Sequence, residues 1–152
     1  VVLKPASLTP LTALRLGELA LEAGVPPGVV NVVPGPGAQI GAAMAAHPDI
    51  AKIGFTGETT TGAAIMATAA KTIKRVGLEL GGKSPNIIFA DVDLDEVVAG
   101  AVGSVFDNAG QDCCARSRIL VERSIAGRFT DALVAATEAL KVGDPLDETT
   151  QM

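Results

Sequence analysis

The chain has 152 residues, enough for one domain with a real core or for two incomplete lobes of something larger. Apolar residues make up 48%, yet no uninterrupted apolar run approaches the roughly 18 residues that a bilayer-spanning helix needs. Seventeen acidic residues against twelve basic ones leave a net charge of −5, and with no Trp, no Tyr and four Phe there is no basic, aromatic-rich surface for phosphates and bases, so neither nucleic acid nor a membrane is an expected partner.

The chain starts at Val1, without Met, in an apolar run lacking the charged n-region and cleavage site of a signal peptide, and stops in the polar stretch Asp147 to Met152. Those ends predict a segment of a longer polypeptide. After Val1-Val2-Leu3, Thr9-Pro10 places an N-cap residue before a proline suited to a first helical turn. A helix is expected from Pro10 to Ala23, with Leu11, Leu14 and Leu19 on its apolar face, ended by Gly24-Val25-Pro26-Pro27-Gly28. Strand-like Val29 to Val33 follows, then a helical Gly35 to His47, a strand Lys52 to Phe55, a helix Glu58 to Lys71 and a strand Arg75 to Leu80. Strands alternating with helices predict an α/β fold with a doubly wound parallel sheet, the plan of nucleotide-binding domains. Past Gly81-Gly82, the expected lobe boundary, the rhythm restarts with a strand Asn86 to Phe89, a helix Leu94 to Asn108, a strand Ile119 to Val121 and a helix Ile125 to Leu140. The domains expected are residues 1–81 and 82–152. The acidic stretch Asp91, Asp93, Asp95, Glu96 reads as a capped and charged helix start rather than a metal site.

Three stretches offer chemistry. Gly35-Pro36-Gly37-Ala38-Gln39-Ile40-Gly41 lies between a strand and a helix, where a phosphate loop belongs, although its spacing is one residue longer than the dinucleotide fingerprint and a tight chain reversal alone asks for such glycines. In Phe55-Thr56-Gly57-Glu58-Thr59-Thr60-Thr61-Gly62, Gly57 and Gly62 are expected to present backbone N–H groups at a helix start, where a pyrophosphate is stabilised; a plain helix cap is the alternative. Asn108-Ala109-Gly110-Gln111-Asp112-Cys113-Cys114 sets two thiols in a turn past a helix end. Their adjacency disfavours a disulfide between them and predicts a reducing, cytoplasmic compartment, and inert packing is the ordinary fate of a cysteine. Glu79, near the end of a sheet strand between two leucines, is costly there unless it faces a cleft. The single histidine, His47, excludes a site built from several imidazoles, so no metal centre is expected and base work falls to a carboxylate.

Lys4-Pro5-Ala6-Ser7, Phe55-Thr56-Gly57-Glu58-Thr59 with Gly62, Leu78-Glu79-Leu80-Gly81-Gly82-Lys83-Ser84-Pro85 and Gly110-Gln111-Asp112-Cys113 occur in the order and spacing of the signature blocks of the aldehyde dehydrogenase superfamily, which this chain resembles over its whole length. The resemblance implies a partial Rossmann-like cofactor domain in residues 1–81, followed by the start of a second α/β catalytic domain in 82–152. It implies NAD- or NADP-dependent oxidation of a small-molecule aldehyde to an acid. By that resemblance Cys113 is the nucleophile, forming a thiohemiacetal and then a thioester and lending its N–H to the oxyanion, and Glu79 is the base for the hydrolytic water. Lys4 matches the adenosine-ribose ligand, Gly57 and Glu58 the pyrophosphate loop with Gly62 in the same block, Leu80 the nicotinamide contact, and Gly37 and Gly41 the adenine side.

The chain also departs from the family pattern. Ser7 stands where many NAD-preferring relatives carry Glu, removing the repulsion of a 2′-phosphate; Arg116 stands where relatives often have a small residue. The family's asparagine oxyanion donor, its second ribose ligand and its pocket aromatics fall outside residues 1–152, so these residues alone are expected not to turn over substrate, and the whole protein is expected to be a homodimer or homotetramer. The alternatives from other classes are a catalytically silent segment that keeps the fold and nucleotide affinity, and a CoA-acylating relative, against which Glu79 speaks because no deacylating base is needed there.

Overall fold

A computed structural model describes all residues, 1–152. The chain divides into two compact units, Val1–Glu79 and Leu80–Met152, a division two residues ahead of the Gly81-Gly82 pair.

The first unit holds β1 (Val2–Leu3), α1 (Leu11–Glu22), β2 (Asn31–Val32), α2 (Gly37–Ala46), β3 (Lys52–Gly57), α3 (Thr59–Ala70) and nearly all of β4 (Arg75–Leu80). β1 runs parallel to β2 with Val2 opposite Asn31, and β3 pairs with β4. The α/β class and parallel pairing agree with the sequence pattern; within these residues the strands pair two by two. The strand expected at Val29 begins only at Asn31, because the Pro26-Pro27-Gly28 turn takes the Val29 N–H onto the Pro26 carbonyl (3.2 Å). Thr9 is not the N-cap of α1: Pro10 occupies that position, with no side-chain cap. The leucine face of α1 is likewise corrected. Leu11 is 77% exposed, while Pro10, Ala13, Gly17 and Ala20 are half-buried at helical spacing, and a Cβ on Gly17 would stand 3.2 Å from Val32. The small-residue stripe lets α1 approach β2; the leucines lie elsewhere.

Gly35 adopts φ +138°, and a Cβ there would fall 2.6 Å from Ile40 Cδ1. A side chain at that bend is strained by the positive φ, and α2 starts two residues on, at Gly37, after an extended Pro36. Ala45, Ile53 and Ala69 form the core of this unit, with Met44, Ile65 and Val76 packed around them. Lys74 is buried beside it, and its ammonium donates to the carbonyls of His47 and Ile50 (2.8 Å for Ile50). A cation at the carboxyl end of α2 is favoured by the helix dipole and by carbonyls otherwise unsatisfied.

The second unit contains β5 (Pro85–Ile88), α4 (Leu94–Phe106), a 3₁₀ turn (Asp107–Gly110), β6 (Arg118–Val121) and α5 (Ala126–Glu138). β5 and β6 are parallel, Pro85 opposite Arg118 through Ile88 opposite Val121. Ile88, Val98, Ala101 and Phe129 form its core. Full burial of a side chain such as Phe129 is worth about 1.5–3 kcal/mol. Asp93 caps α4 by accepting the N–H groups of Asp95 (3.0 Å) and Glu96 (3.2 Å), as the acidic stretch predicted.

Glu122, just past β6, accepts from the Ser124 hydroxyl and the Ala90 N–H, each at 2.8 Å. These bonds, Ser124 first, hold its carboxyl below the ordinary carboxylate value. A depressed folded value means that the stabilisation is complete above the unfolded value of about 4.3 and is lost as pH falls through the lower folded one. Glu122→Gln is therefore expected to lower the urea midpoint at neutral pH, and the deficit to vanish near about pH 2. Unfolding followed by circular dichroism checks this, and a deficit equal at both pH values would contradict it.

Candidate active site

The turn that carries the thiols is built from its strained side. After α4 stops at Phe106, Asn108 (φ 51°, ψ 38°) and Ala109 (φ 55°, ψ 35°) are both left-handed, followed by Gly110 at φ 73°. Asparagine tolerates this region, whereas alanine does so at a cost of order 1 kcal/mol or more. A reciprocal clamp holds the strain: Asn108 Nδ2 donates to the Gln111 carbonyl (3.0 Å), while the Gln111 N–H (3.1 Å) and Nε2 (3.4 Å) donate to the Asn108 carbonyl. Ala115 N–H then closes a β-turn onto the Asp112 carbonyl (3.2 Å), with Cys113 and Cys114 as its central residues, and Asp112 Oδ1 accepts the Cys114 N–H (2.9 Å). Both thiols are exposed, their sulfurs 3.7 Å apart. The Cys113 N–H donates to no acceptor within the protein, leaving it available to an external oxyanion.

A cavity of about 270 Å³ lies under this turn, lined by Gly82, Lys83, Val105, Phe106, Ala109, Gly110, Asp112, Ala115, Ser117 and Met152. Asp112 reaches it, and Cys113 does not line it. A Cβ on Gly82 would lie 3.7 Å from the Cys113 carbonyl, so Gly82 runs close to the backbone of the thiol turn. Asp112 makes no ion pair with Arg116; ion pairs are confined to Arg15 with Glu18 and Glu22 (2.8 Å each). The Arg116 N–H donates to Ser104 (3.3 Å), and nothing in the structure explains the arginine side chain.

In the first unit, Glu79 is the penultimate residue of β4. Val76, Leu78 and Leu80 are half-buried and Arg75, Gly77 and Glu79 exposed, so the strand's two-residue period puts the carboxylate opposite the leucines. Glu79 is exposed. Lys4, Ser7 and the start of α2 converge. The Lys4 ammonium donates to the Pro5 carbonyl, its Cε stands 3.8 Å from where a Cβ on Gly37 would lie, and Ser7 Oγ donates to the Gly35 carbonyl (3.0 Å). Gly41 is half-buried within α2. Gly57 lies under Phe55, whose ring would be 2.6 Å from any Cβ added there. Neither Pro36 at α2 nor Glu58 at α3 caps its helix through a side chain, so both helix starts keep N–H groups open to an anion. Gly62 departs from expectation: it is buried, and its N–H is bonded to the Glu58 carbonyl (3.0 Å), because it lies one full turn inside α3. The N–H donors belong to the threonines before it.

Sequence reasoning missed the Asn108–Gln111 clamp and the buried Lys74. Asn108 two places before Gly110 was the available signal for left-handed backbone; Lys74 had none, since its partners lie 24 and 27 residues away.

The sequence model of the aldehyde dehydrogenase family matches residues 1–152. The chain belongs to that family. Betaine aldehyde dehydrogenase 1 of Oryza sativa subsp. japonica is 52% identical over 147 residues, covering 97% of this chain and 29% of that protein. A betaine aldehyde dehydrogenase from Staphylococcus aureus, solved in complex with NAD+, superimposes with a TM-score of 0.96 at 42% identity, over 99% of this chain and 30% of its own. An NADP-dependent enzyme of E. coli superimposes at 0.94 with 48% identity, over 98% and 31%. The chain thus spans less than a third of the length of each of these three proteins. No helix is long and apolar enough to cross a membrane.

Proposed function

We propose that this chain supplies the nucleophile, the hydrolytic base and much of the cofactor cradle of an NAD(P)-dependent aldehyde dehydrogenase that oxidises an aldehyde to a carboxylic acid. Residues 1–81 are the C-terminal part of its cofactor domain and 82–152 the N-terminal part of its catalytic domain. The observation that carries this reading is the turn itself: an exposed Cys113 thiol on a strained, clamped loop, with its own N–H open to the oxygen of a carbonyl under attack. The Cys113 thiolate adds to the aldehyde carbon, giving a thiohemiacetal. A nicotinamide cofactor held by this chain would supply the hydride acceptor needed for oxidation of that Cys113 adduct to a thioester. Glu79 then takes a proton from the water that releases the acid and frees the thiol. A thiol acceptor such as CoA would need no such base, which favours hydrolysis over acyl transfer.

The residues present fit a dinucleotide. Two helix starts with open N–H groups suit a pyrophosphate, and Lys4 beside Gly37 places a cation at the start of α2. Ser7 supports acceptance of NADP, since a 2′-phosphate beside Lys4 meets a cation and no repelling carboxylate. Ser7→Glu is expected to shift the ratio of kcat/KM for NAD over NADP upward by about tenfold, and a strong NAD preference in the unmodified enzyme would contradict the argument.

Asp112 bears on substrate class. It both caps the turn and lines the cavity, and a carboxylate there favours cationic aldehydes; two of the relatives are betaine aldehyde dehydrogenases, whose named substrate carries a quaternary ammonium. Water screening limits the preference to about 1 kcal/mol, or roughly fivefold. Asp112→Asn should lower kcat/KM for an aminoaldehyde relative to an uncharged aldehyde of equal length by that factor. An unchanged ratio removes Asp112 from substrate selection. These kinetic tests use a polypeptide of full family length that carries residues 1–152.

A further inference from the structure

We infer that Asp112, Cys113 and Cys114 form a chelating site for a thiophilic divalent cation of the zinc type, an incoming inhibitory ion and not a resident catalytic one. A tetrahedral zinc with Zn–S bonds of about 2.3 Å sets its two sulfurs about 3.8 Å apart. The sulfurs of Cys113 and Cys114 already stand 3.7 Å apart, and one carboxylate oxygen of Asp112 lies within 4.8 Å of both. All three side chains are exposed, so each is reachable by a hydrated ion and can turn the short remaining distance onto it.

The backbone beneath them is held by two bonds: the Ala115 N–H on the Asp112 carbonyl, and the Cys114 N–H on Asp112 Oδ1. The ordering cost of bringing three ligands together is therefore largely met before the ion arrives. Binding exchanges two S–H bonds for two metal–sulfur bonds and releases two protons to solvent. The site carries one negative charge before and after, because two thiolates and a carboxylate offset the dication to −1. Three protein ligands leave the fourth position to water, so a competing small thiol can extract the metal. With Cys113 committed to the metal, no thiolate remains to attack an aldehyde. That last consequence rests on Cys113 being the nucleophile; the chelation does not.

The 152-residue chain itself serves for the test. Cadmium ion alone is titrated into the chain and into its Cys113→Ser, Cys114→Ser and Asp112→Asn variants, with thiolate-to-cadmium ultraviolet absorption as the signal, zinc ion as the competitor and circular dichroism as the check on folding. One equivalent should bind per monomer, with affinity falling about a hundredfold in either cysteine variant and about tenfold in Asp112→Asn. Zinc should also slow iodoacetamide labelling of Cys113 in the unmodified chain and leave it unchanged in Cys114→Ser. Equal cadmium affinity in Cys114→Ser, or one cadmium bridging two chains, overturns the proposal. The absorption reports chelation whatever the role of Cys113 in turnover, so the site and the catalytic reading can fail separately.

Discussion

Cys113→Ser is expected to abolish aldehyde oxidation, lowering kcat by about 10⁴-fold or more, as loss of a covalent nucleophile does in enzymes whose catalytic groups act as a unit. Cys114→Ser should retain turnover within about threefold. The asymmetry follows from the turn. Cys113 has its own N–H open, so thiol and oxyanion donor belong to one residue and can address one carbonyl. The Cys114 N–H is bonded to Asp112 Oδ1 at 2.9 Å, so Cys114 offers a thiol without an open N–H of its own beside it. Serine keeps the size of cysteine and both positions are exposed, so neither variant should perturb folding. Steady-state rates in a polypeptide of full family length measure the difference, and equal loss in both variants would contradict the assignment.

Glu79→Gln is the second large effect. Without its base the thioester forms and then persists, so reduced cofactor should appear as a burst of one equivalent per site, followed by a steady rate lower by about 10²- to 10⁴-fold. Glutamine preserves shape, and the exposed position on β4 carries no packing role, so the loss belongs to proton transfer. Stopped-flow absorbance separates burst from steady state. A Glu79→Gln enzyme with unchanged kcat would show that another group activates the water.

What sequence could and could not reveal divides along physical lines. Local chemistry was legible: the bend at Gly35, the acidic cap at Asp93, the alternation of helix and strand, and the thiol turn after α4 all depend on residues within a few places of one another. Features that depend on tertiary approach were not. The leucines of α1 looked like its packing face, but the close approach of α1 to β2 selects Pro10, Ala13, Gly17 and Ala20 instead. Gly62 looked like a phosphate donor until the start of α3 at Thr59 placed it one turn inside the helix. Lys74 is buried only because the carbonyls of His47 and Ile50 come to it from a distant loop. Of the candidate site, the thiols and Glu79 were legible as residue types in order, and the left-handed Ala109 was not, since alanine carries no signal for that conformation.

Trapping the acyl-enzyme tests the central claim most directly. The Glu79→Gln variant of the full-length polypeptide is mixed with aldehyde and oxidised cofactor, quenched in acid, digested and analysed by mass spectrometry. The mass of one acyl group is expected on Cys113, absent when cofactor is omitted; an acyl group on Cys114, or none on either thiol while reduced cofactor accumulates, would contradict the assignment.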